Sequence, residues 1–571
     1  MWASLVVFLA VASAARAADL VVAYDVMVPM RDGVVLATDV FRPRTEAKLP
    51  VLLIRTPYNK ADERDVARFF ASHGWAVLLQ DVRGRYDSEG VWTPFVNEAD
   101  DGYDAVEWAA AQPFSNGKVA TSGGSYAAID QWLAATRRSK HLAAIVSEFA
   151  PSDLYEGFLY PGGAFQEAIG VTWAALVSSR VKQSASLQSE DWPRVFLSMP
   201  LTEALRSVGH ATPFFREWLR HPAYDAHWKS LSWQGAYEGL DVPVFAVHSW
   251  FDIFNVGKGN IDNFLKLRAR GAPGRRGAHR LVVGPWEHGP HGTKVGDVEF
   301  GEVSRMDLDE AALRWLENVV KGAENGADRD APVKVFTMGE NAWHDYADWP
   351  PPGTRTVAYY LGGRRANSSL GEGALATTLP AENEPAETFT YDPKDPVPNM
   401  GGGNCCWPQI LPWGPLDQRP VERRDDVLVF STPALASALR VTGPVVAKIW
   451  VKSSAPDTDF AVKLVDVHPG GFAMNLADGI LRARYRGSFE KPEPLAPDRA
   501  YELTIDLGAT SHLFLEGHRV RVEVSSANFP RYSRNTNTGN VPELDTETRP
   551  ARQTVLHDAR HPSRILLPVL P

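Results

Sequence analysis

Cysteine is almost absent from this chain: only Cys405 and Cys406 occur among 571 residues, and they are neighbours. Because two adjacent cysteines can close only a small ring, a framework of disulfides that links distant segments is excluded. Two thiols also leave the redox compartment open. Stability must therefore come from hydrophobic cores, for which a composition that is 44% hydrophobic is sufficient.

An excess of basic residues is also missing. The chain carries 59 Lys and Arg against 69 Asp and Glu, a formal net charge of −10, with no basic stripe along it. Without such a stripe there is nothing to neutralise a phosphate backbone, so we expect no nucleic-acid partner. Beyond the N-terminus no apolar run approaches the roughly 20 residues of a membrane span, so we expect no membrane partner either.

The N-terminus has the pattern of an export signal. Residues 5–12 are apolar, and Ala15-Arg16-Ala17 follows as a small-x-small cleavage site. We predict a signal peptide over residues 1–17, cleaved after Ala17 or Ala18, and a secreted or periplasmic protein. The positive end of the pattern is reduced to the α-amino group, and a buried first helix is the competing interpretation.

The first third of the chain predicts an α/β fold. Asp32-Gly33 marks the turn of a hairpin over residues 20–43. Buried strands and amphipathic helices then alternate, which is typical of a mainly parallel sheet covered by helices. The predicted strands are 51–55, 76–81, 118–122 and 142–148, and the predicted helices are 62–73, 100–112 and 126–136.

At this length several domains are expected. We predict an α/β core over residues 18–150 and 241–330, interrupted at 151–240 by a helical cap in which no strand of convincing length occurs. Past residue 331, short alternating segments separated by Pro, Gly and Asn predict a β-sandwich up to residue 571. Residues 381–406 are rich in Pro, Gly and Asn and predict a long surface loop.

The central chemical signal is Ser122-Gly123-Gly124-Ser125-Tyr126, where a predicted strand passes into a helix. A nucleophilic serine needs this sharp turn, because it lifts the hydroxyl above the sheet and points backbone N–H groups at a developing oxyanion. Ala127 and Ala128 stand where one glycine is usual. A phosphate-binding loop is the alternative, but no lysine follows and the third glycine is missing.

An activated serine requires a base and an orienting acid, which in this class follow in the order acid, then histidine. Asp252 comes just after the predicted strand 242–249, and His288 just after the strand 280–284. Asp252 would hold the His288 imidazole, and His288 would take the proton of Ser125. His248 is expected to be a core residue. His288 and His291 lack a third ligand for zinc, so we predict no metal and no cofactor.

With these residues and the motifs that follow, the chain resembles the CocE/NonD family, the group of cocaine esterases, X-prolyl dipeptidyl-peptidases, glutaryl acylases and α-amino-acid ester hydrolases. The resemblance spans nearly the whole chain after the signal segment. It rests on Arg55-Thr56-Pro57-Tyr58, Asp81-Val82-Arg83-Gly84-Arg85, Gln112-Pro113-Phe114-Ser115-Asn116-Gly117, Gly284-Pro285-Trp286-Glu287-His288, Gly414-Pro415-Leu416-Asp417-Gln418 and Asp478-Gly479-Ile480-Leu481-Arg482.

The resemblance implies an α/β-hydrolase core, a helical cap and a C-terminal jelly roll. It also implies an oxyanion hole made by the Tyr58 hydroxyl and the Tyr126 backbone N–H, and an acyl pocket lined by Phe254. A phenol at a strand end can supply such a donor, although Tyr58 could instead be a packing residue. Trp173 and Trp250 are further candidates for substrate binding.

Other acidic and basic residues are expected to be structural. Asp81 and Arg83 are predicted to form an internal salt bridge. Asp100, Asp101 and Asp104 resemble an ion site, but acids are ordinary in the first turn of a helix.

Three functions remain open on the sequence. The first is a serine hydrolase that forms an acyl-enzyme on Ser125 from a small-molecule ester or amide. The second is an X-Pro dipeptidyl-peptidase, although those enzymes usually carry an additional N-terminal helical domain, whereas here the core begins almost at Leu20. The third is a non-catalytic protein whose jelly roll binds a ligand. We also predict a homodimer.

Overall fold

The computed structural model describes residues 19–210, 212–290 and 292–571. The predicted signal peptide therefore lies outside the described residues. The chain begins with the predicted hairpin, whose turn is closed by the bond from Gly33 N to Met30 O (2.9 Å). Gly33 has φ +86°, a conformation that favours glycine, which explains the Asp-Gly signal.

A ten-stranded sheet forms the first layer of the molecule. The strands up to residue 346 are β1 (Leu20–Pro29), β2 (Val35–Pro43), β3 (Leu49–Thr56), β4 (Ala76–Asp81), β5 (Ser115–Gly124), β6 (Leu142–Glu148), β7 (Val244–Ser249), β8 (Arg280–Gly284), β9 (Lys294–Val295), β10 (Val298–Glu299), β11 (Val333–Thr337) and β12 (Ala342–Tyr346). Their order in the sheet is β1-β2-β4-β3-β5-β6-β7-β8-β11-β12, while β9 and β10 pair separately. The strands from β4 to β11 run parallel, so their carboxyl ends share one edge.

Helices cover this sheet and fill the interval between β6 and β7. β3, β4 and β6 are buried along almost their whole length, because helices pack on both faces. The α-helices are α1 (Arg64–Ser72), α2 (Glu98–Ala111), α3 (Tyr126–Ala135), α4 (Glu167–Leu176), α5 (Ser186–Ser189), α6 (Trp192–Phe196), α7 (Ala204–Ser207), α8 (Pro213–Arg220), α9 (Ala226–Ser230), α10 (Gly259–Arg270) and α11 (Leu308–Leu316). Between β6 and β7, the described residues form helices and turns without a strand, and α4 is buried along its length.

The rest of the chain is β-structure in an eleven-stranded arrangement. Its strands are β13 (Arg355–Arg364), β14 (Glu372–Ala376), β15 (Glu387–Tyr391), β16 (Leu428–Ser431), β17 (Leu439–Ser453), β18 (Asp459–Val467), β19 (Ala473–Arg482), β20 (Tyr501–Phe514), β21 (Arg519–Ser525), β22 (Ala551–Leu556) and β23 (Arg564–Val569). Alternate residues of β17 are buried, the pattern of a strand with one face toward a core. The architecture is thus an α/β-hydrolase core with a helical cap and a C-terminal β-sandwich.

Two boundaries differ from the sequence-based prediction. The core was expected to end at residue 330, but β11 pairs in parallel with β8, and β12 then pairs with β11, so the first sheet continues to Tyr346. The parallel pairing of β11 with β8 joins residues about 50 positions apart, and local periodicity does not show which sheet such a strand joins. The loop predicted over 381–406 contains β15, because Glu387–Tyr391 pairs with β22. None of the helices in the described ranges is long and apolar enough to cross a membrane.

Candidate active site

Ser125 occupies the turn between β5 and α3. Its backbone has φ 60° and ψ −120°, a combination that non-glycine residues rarely adopt and that stores strain at the predicted nucleophile. The turn is held by backbone bonds: Ser125 N donates to Glu148 O (3.0 Å), and Ser125 O accepts from Ala128 N and Ile129 N (3.0 Å each). The half-buried side chain lines a cavity above the carboxyl edge of the sheet.

Gly123 makes this turn sterically feasible. It has φ +144°, and a Cβ at this position would lie 2.6 Å from Ala127 Cβ, far inside van der Waals contact. The helix therefore approaches the strand closely, as the small residues on both sides of Ser125 predicted. Ala127, which replaces the more usual glycine, is tolerated because Gly123 opposite it has no side chain.

Asp252 and His288 meet at the same edge. Asp252 follows β7, His288 follows β8, and His288 Nδ1 lies 3.1 Å from Asp252 Oδ1. Asp252 is fully buried, and its Oδ1 also accepts from Phe254 N (3.0 Å), which fixes the carboxylate. His288 lines the same cavity as Ser125. The structure thus joins the predicted acid and base, while the bond from Ser125 Oγ to the imidazole stays a prediction.

Tyr58 lies just after β3 and lines the cavity beside Ser125. Its hydroxyl accepts a hydrogen bond from Trp173 Nε1 (2.7 Å). Burial raises the pKa of Tyr58 to about 12, partly offset by the bond from Trp173, by Arg85 and by hydrogen bonding with Ser125. The phenol is therefore protonated at neutral pH and can act as a hydrogen-bond donor.

Tyr126 contributes differently. It is the first residue of α3, where a backbone N–H has no acceptor within the helix. Its hydroxyl donates to Glu98 Oε1 (2.8 Å) and accepts from Phe95 N (3.0 Å) and Trp92 Nε1 (3.2 Å). Burial is the main reason that the pKa of Tyr126 stands well above its ordinary value. The ring thus anchors the start of the helix that carries the N–H.

The cavity measures about 380 Å³ and is walled mainly by aromatic and aliphatic side chains. Phe254 and Trp173 line it, as predicted. Three of its aromatic residues were not singled out by the sequence: Phe95, Phe158 and Trp407. Trp407 belongs to the sandwich domain and directly follows Cys405-Cys406, whose rarity was the one signal that could have drawn attention to this segment.

Trp250 is not part of the cavity wall. It is buried, its Nε1 donates to Phe336 O (2.7 Å), and its ring packs 5.8 Å from that of Trp349. Its side chain is turned toward β11, on the side of the strand end away from Ser125. The prediction that Trp250 binds substrate is therefore wrong, since sequence proximity to Asp252 does not give the direction of the side chain.

Cys405 and Cys406 form a disulfide between neighbours and line the cavity close to His288. The three residues lie close enough together to suggest a metal site. A metal ligand, however, is a thiolate rather than a disulfide sulfur. As disulfide-bonded residues, the two cysteines form part of the wall.

The other candidate residues have structural partners. Asp81 pairs with Lys60 (3.1 Å) rather than with Arg83, which pairs with Asp101 and Asp32 (2.7 Å each), so the predicted Asp81–Arg83 bridge is wrong. Asp100 and Asp104 both pair with Arg31.

Two histidines complete the set. His248 is fully buried, with its Nε2 facing Asn255 Oδ1 at 3.3 Å. His291 lies outside the described residues.

Carboxyl groups border the nucleophile turn. Glu148, at the end of β6, has a side-chain pKa raised to about 8, chiefly by burial and also by repulsion from Asp309 and Glu63. Burial likewise raises the pKa of Glu63, which lines the cavity with Asp62 and Lys182. Ionisable side chains therefore line part of an otherwise mainly apolar cavity.

Comparison with known proteins gives a consistent result along the chain. A family model described as X-Pro dipeptidyl-peptidase (S15 family) matches residues 32–290, and one described as X-Pro dipeptidyl-peptidase C-terminal non-catalytic domain matches residues 325–566. The cocaine esterase of Rhodococcus sp. (strain MB1 Bresler) is 38% identical over 96% of this chain and 98% of its own length.

Two solved structures share the architecture. An aminopeptidase from the marine sediment archaeon Thaumarchaeota archaeon superposes with a TM-score of 0.83 at 27% identity, covering 98% of this chain and 97% of that one. An α-amino acid ester hydrolase gives 0.83 at 26% identity, covering 98% of both chains.

The fold, the strained serine and these relatives define the class: a serine hydrolase that acts on ester or amide bonds. A non-catalytic binding protein is accordingly excluded. The chain belongs to the CocE/NonD family of serine hydrolases.

Proposed function

We propose that Ser125, His288 and Asp252 act as a catalytic triad. Asp252 holds the His288 imidazole through Nδ1, and His288 accepts the Ser125 proton as the hydroxyl attacks the carbonyl carbon. The leaving alcohol or amine takes that proton, and water then releases the acyl group from Ser125. The observation that carries this proposal is that the strained serine and His288 line one cavity, with the buried Asp252 behind the imidazole.

The oxyanion of each tetrahedral intermediate would be held by two donors, the Tyr58 hydroxyl and the Tyr126 backbone N–H. A phenol with its pKa raised to about 12 donates a hydrogen bond without ionising at neutral pH. Trp173 Nε1 occupies a lone pair of the Tyr58 oxygen and so directs the proton away from itself. Donors fixed in advance in a water-poor site stabilise the developing charge most effectively.

The acyl pocket is proposed to take an aromatic or other apolar acyl group. Phe95, Phe158, Trp173, Phe254 and Trp407 supply rings on several sides of the cavity. Rings of this kind gain free energy by edge-to-face and stacked contacts with an aromatic acyl group. The relative from Rhodococcus is named for cocaine, and an ester of an aromatic acid would suit this cavity in the same way.

An X-Pro dipeptidyl-peptidase is the second candidate, and a specific observation keeps it open. Asp62 and Glu63 line the cavity, and a carboxylate there could receive the free ammonium group of a peptide. Lys182 lies 2.5 Å from Asp62, however, and already neutralises that carboxylate. The ester or amide of an apolar acid is therefore the preferred substrate class.

The test is active-site labelling followed by substrate comparison. A fluorophosphonate should label the wild-type protein, and Ser125→Ala should remove labelling and lower kcat about 10³–10⁶-fold. Ser122→Ala, in β5 three residues before Ser125, is the matched control and should remain labelled. Equal labelling of Ser125→Ala would refute the nucleophile. A p-nitrophenyl benzoate that is cleaved more slowly than an X-Pro anilide would favour the peptidase.

We further propose that residues 1–17 direct export. The small-x-small pattern at Ala15-Arg16-Ala17 supports export. N-terminal sequencing of protein recovered outside the cytoplasm should start at Ala18 or Asp19.

We also propose that the protein forms a homodimer. Sedimentation of the purified chain should then give the mass of two chains, and the mass of one chain would contradict the proposal.

A further inference from the structure

One buried carboxylate of the C-terminal sandwich is surrounded by imidazoles. Asp466, near the end of β18, is almost fully buried. His518 Nδ1 lies 2.9 Å from its Oδ1, and His512 Nε2 lies 2.9 Å from its Oδ2. A third ring, that of His468, approaches Oδ2 through Nε2 at 3.7 Å. None of these four residues lines the catalytic cavity, so the mechanism leaves them without a task.

Backbone geometry holds the cluster in place. β18 pairs with β21 so that Val467 faces Arg519, which puts His468 next to His518 at the end of the ladder. The turn after His468 is closed by bonds from His468 N to Phe472 O (2.9 Å) and from Gly471 N to His468 O (2.8 Å). The two rings lie 4.5 Å apart between centroids. The imidazoles are therefore presented by ordered backbone rather than by mobile loops.

The spacing of the nitrogen and oxygen atoms suits one metal ion. One ligand atom each from Asp466, His468 and His518 lies within 4.8 Å of the other two. Two ligands on a tetrahedral zinc, with bonds of about 2.0–2.1 Å, are about 3.3–3.4 Å apart. From Asp466 Oδ2, the observed separations are 3.0 Å to His518 Nδ1 and 3.7 Å to His468 Nε2, which bracket that value.

We propose that Asp466, His468 and His518 form a binding site for a divalent transition-metal ion, with Zn²⁺ the best match. Two imidazoles and one carboxylate are ligands that zinc prefers, and imidazole also suits copper and nickel. The His468 side chain is 36% exposed, which gives the ion a path of entry and leaves room for a water as fourth ligand. The site would fix the β18–β19 turn to the start of β21.

His512 has a positioning role in this site. Its Nε2 contacts Asp466 Oδ2, so it orients the carboxylate that binds the ion. Such outer contacts of a ligand typically change metal affinity about 10–100-fold when removed. His512 is buried and its Nδ1 has no partner among the described residues, so the ring is held by this one polar contact.

A second group of ligand type, Glu217, His221 and His227 in the cap, is the main competitor for an added ion. Its members are more exposed, and both nitrogens of His221 are already engaged, with Asp225 Oδ2 at 2.6 Å and Glu217 Oε1 at 3.0 Å. An experiment must therefore locate the ion as well as detect it.

The test uses the full-length protein, stripped with a chelator and dialysed. Titration with Co²⁺ should give the visible absorption of a four-coordinate site at one equivalent, and Zn²⁺ should displace it and raise Tm. His468→Asn and His518→Asn should each weaken binding more than 100-fold, whereas His512→Gln should weaken it about 10–100-fold with unchanged stoichiometry. His561→Asn is the matched control, because His561 also contacts a carboxylate, that of Asp558, in the same domain.

The proposal fails if the stripped wild-type protein binds no equivalent of Co²⁺ or Zn²⁺. It fails equally if His468→Asn and His518→Asn bind like the wild type, which would place the ion elsewhere, with Glu217→Gln then tested for the cap. Loss of fold is monitored by the unfolding transition in chelator. His468→Asn, at a partly exposed position, should unfold there within a few degrees of the wild type and provides the reading if His518→Asn does not fold.

Discussion

Two tyrosines at the site have different tasks although both are buried phenols. The Tyr58 hydroxyl faces the cavity and is bonded by Trp173, while the Tyr126 hydroxyl faces away and is bonded to Glu98. Only the first can touch an oxyanion. The Tyr126 hydroxyl instead anchors its residue, whose backbone N–H is the other donor to the oxyanion in the proposed mechanism. Removing the Tyr58 hydroxyl should therefore change the kinetics, whereas removing the Tyr126 hydroxyl should mainly change the stability.

Tyr58→Phe should lower kcat/KM about 10²–10³-fold, because it deletes one of two oxyanion donors while keeping the ring. Stability should change little, since within the described ranges the hydroxyl, at a cavity wall, has Trp173 and Ser125 as its hydrogen-bonding partners. Steady-state kinetics with an activated ester provides the measurement. An unchanged kcat/KM would assign Tyr58 to packing.

The matched control is Tyr126→Phe. This substitution leaves the backbone N–H in place but removes the partner of Glu98, Phe95 N and Trp92 Nε1. Buried groups left without a partner cost about 1–3 kcal/mol, so the midpoint of unfolding should fall. The loss of kcat/KM should stay well below that of Tyr58→Phe.

At the scale of elements, the close crossing of β5 and α3 sets the position of Ser125, the proposed nucleophile. Gly123→Ala would place a Cβ 2.6 Å from Ala127 Cβ in a backbone conformation of φ +144°. The helix must then move away from the strand, and the Tyr126 N–H with it. We expect at least a 100-fold loss of kcat, a figure typical of an oxyanion donor displaced from its position.

Two further variants separate the clash from the backbone strain. Gly123→Ala combined with Ala127→Gly removes the contact and should recover part of the activity, measured with the same ester. Gly33→Ala imposes strain at φ +86° with no atom within 4 Å of the added Cβ, and should lower only the unfolding midpoint. Equal activities of the single and the double variant would show that the contact is irrelevant.

At the scale of the whole molecule, the sandwich domain completes the site. Gly403 packs so closely that a Cβ there would lie 2.4 Å from Asp252 O, and Trp407 closes the cavity. Asn255, three residues after Asp252, the proposed catalytic acid, donates to Ala509 O of β20 (2.9 Å) and to Trp250 O (2.8 Å). The loop that carries Asp252 is thus fastened from the second domain.

Asn255→Ala should therefore lower kcat more than it changes KM. It leaves the Ala509 and Trp250 carbonyls without their donor and loosens the Asp252 loop, at a cost of about 1–3 kcal/mol in unfolding free energy. Steady-state kinetics gives kcat and KM, and chemical denaturation of the same preparation gives the unfolding free energy. Asn116→Ala, at an exposed position near the start of β5 and remote from Asp252 in the chain, serves as control. A stability loss with wild-type kcat would contradict the coupling.

The pH dependence of unfolding should carry the signature of Glu148. Its pKa is about 8 in the folded chain against an ordinary 4.5, so between these values the unfolded chain releases a proton that the folded chain keeps. Stability from this group is present at low pH and is lost as pH rises from about 4.5 to 8. Glu148→Gln should flatten the fall of Tm between pH 5 and 8, whereas exposed Glu46→Gln should not. If the slope of Tm against pH is the same in Glu148→Gln as in the wild type, Glu148 is not the cause of the fall.

Much of the core followed from local pattern. β4, β6 and β8 begin and end at the predicted residues, because a buried parallel strand is a short apolar run bounded by turn signals. The turn at Ser125 was predictable for the same local reason. β12 and β15 were misplaced, because which sheet a strand joins depends on partners far away in the chain.

The sequence by itself determined the order of chemistry along this chain: a serine on a glycine turn, then an acid and a histidine, each after a buried strand. Those are local facts, set by side-chain size and by the period of apolar residues. Only the tertiary structure decided that Trp407 lines the cavity, that Trp250 does not, and that three histidine side chains lie around the Asp466 carboxylate. Such contacts join residues from distant strands, and their direction is fixed by packing, which no local pattern encodes.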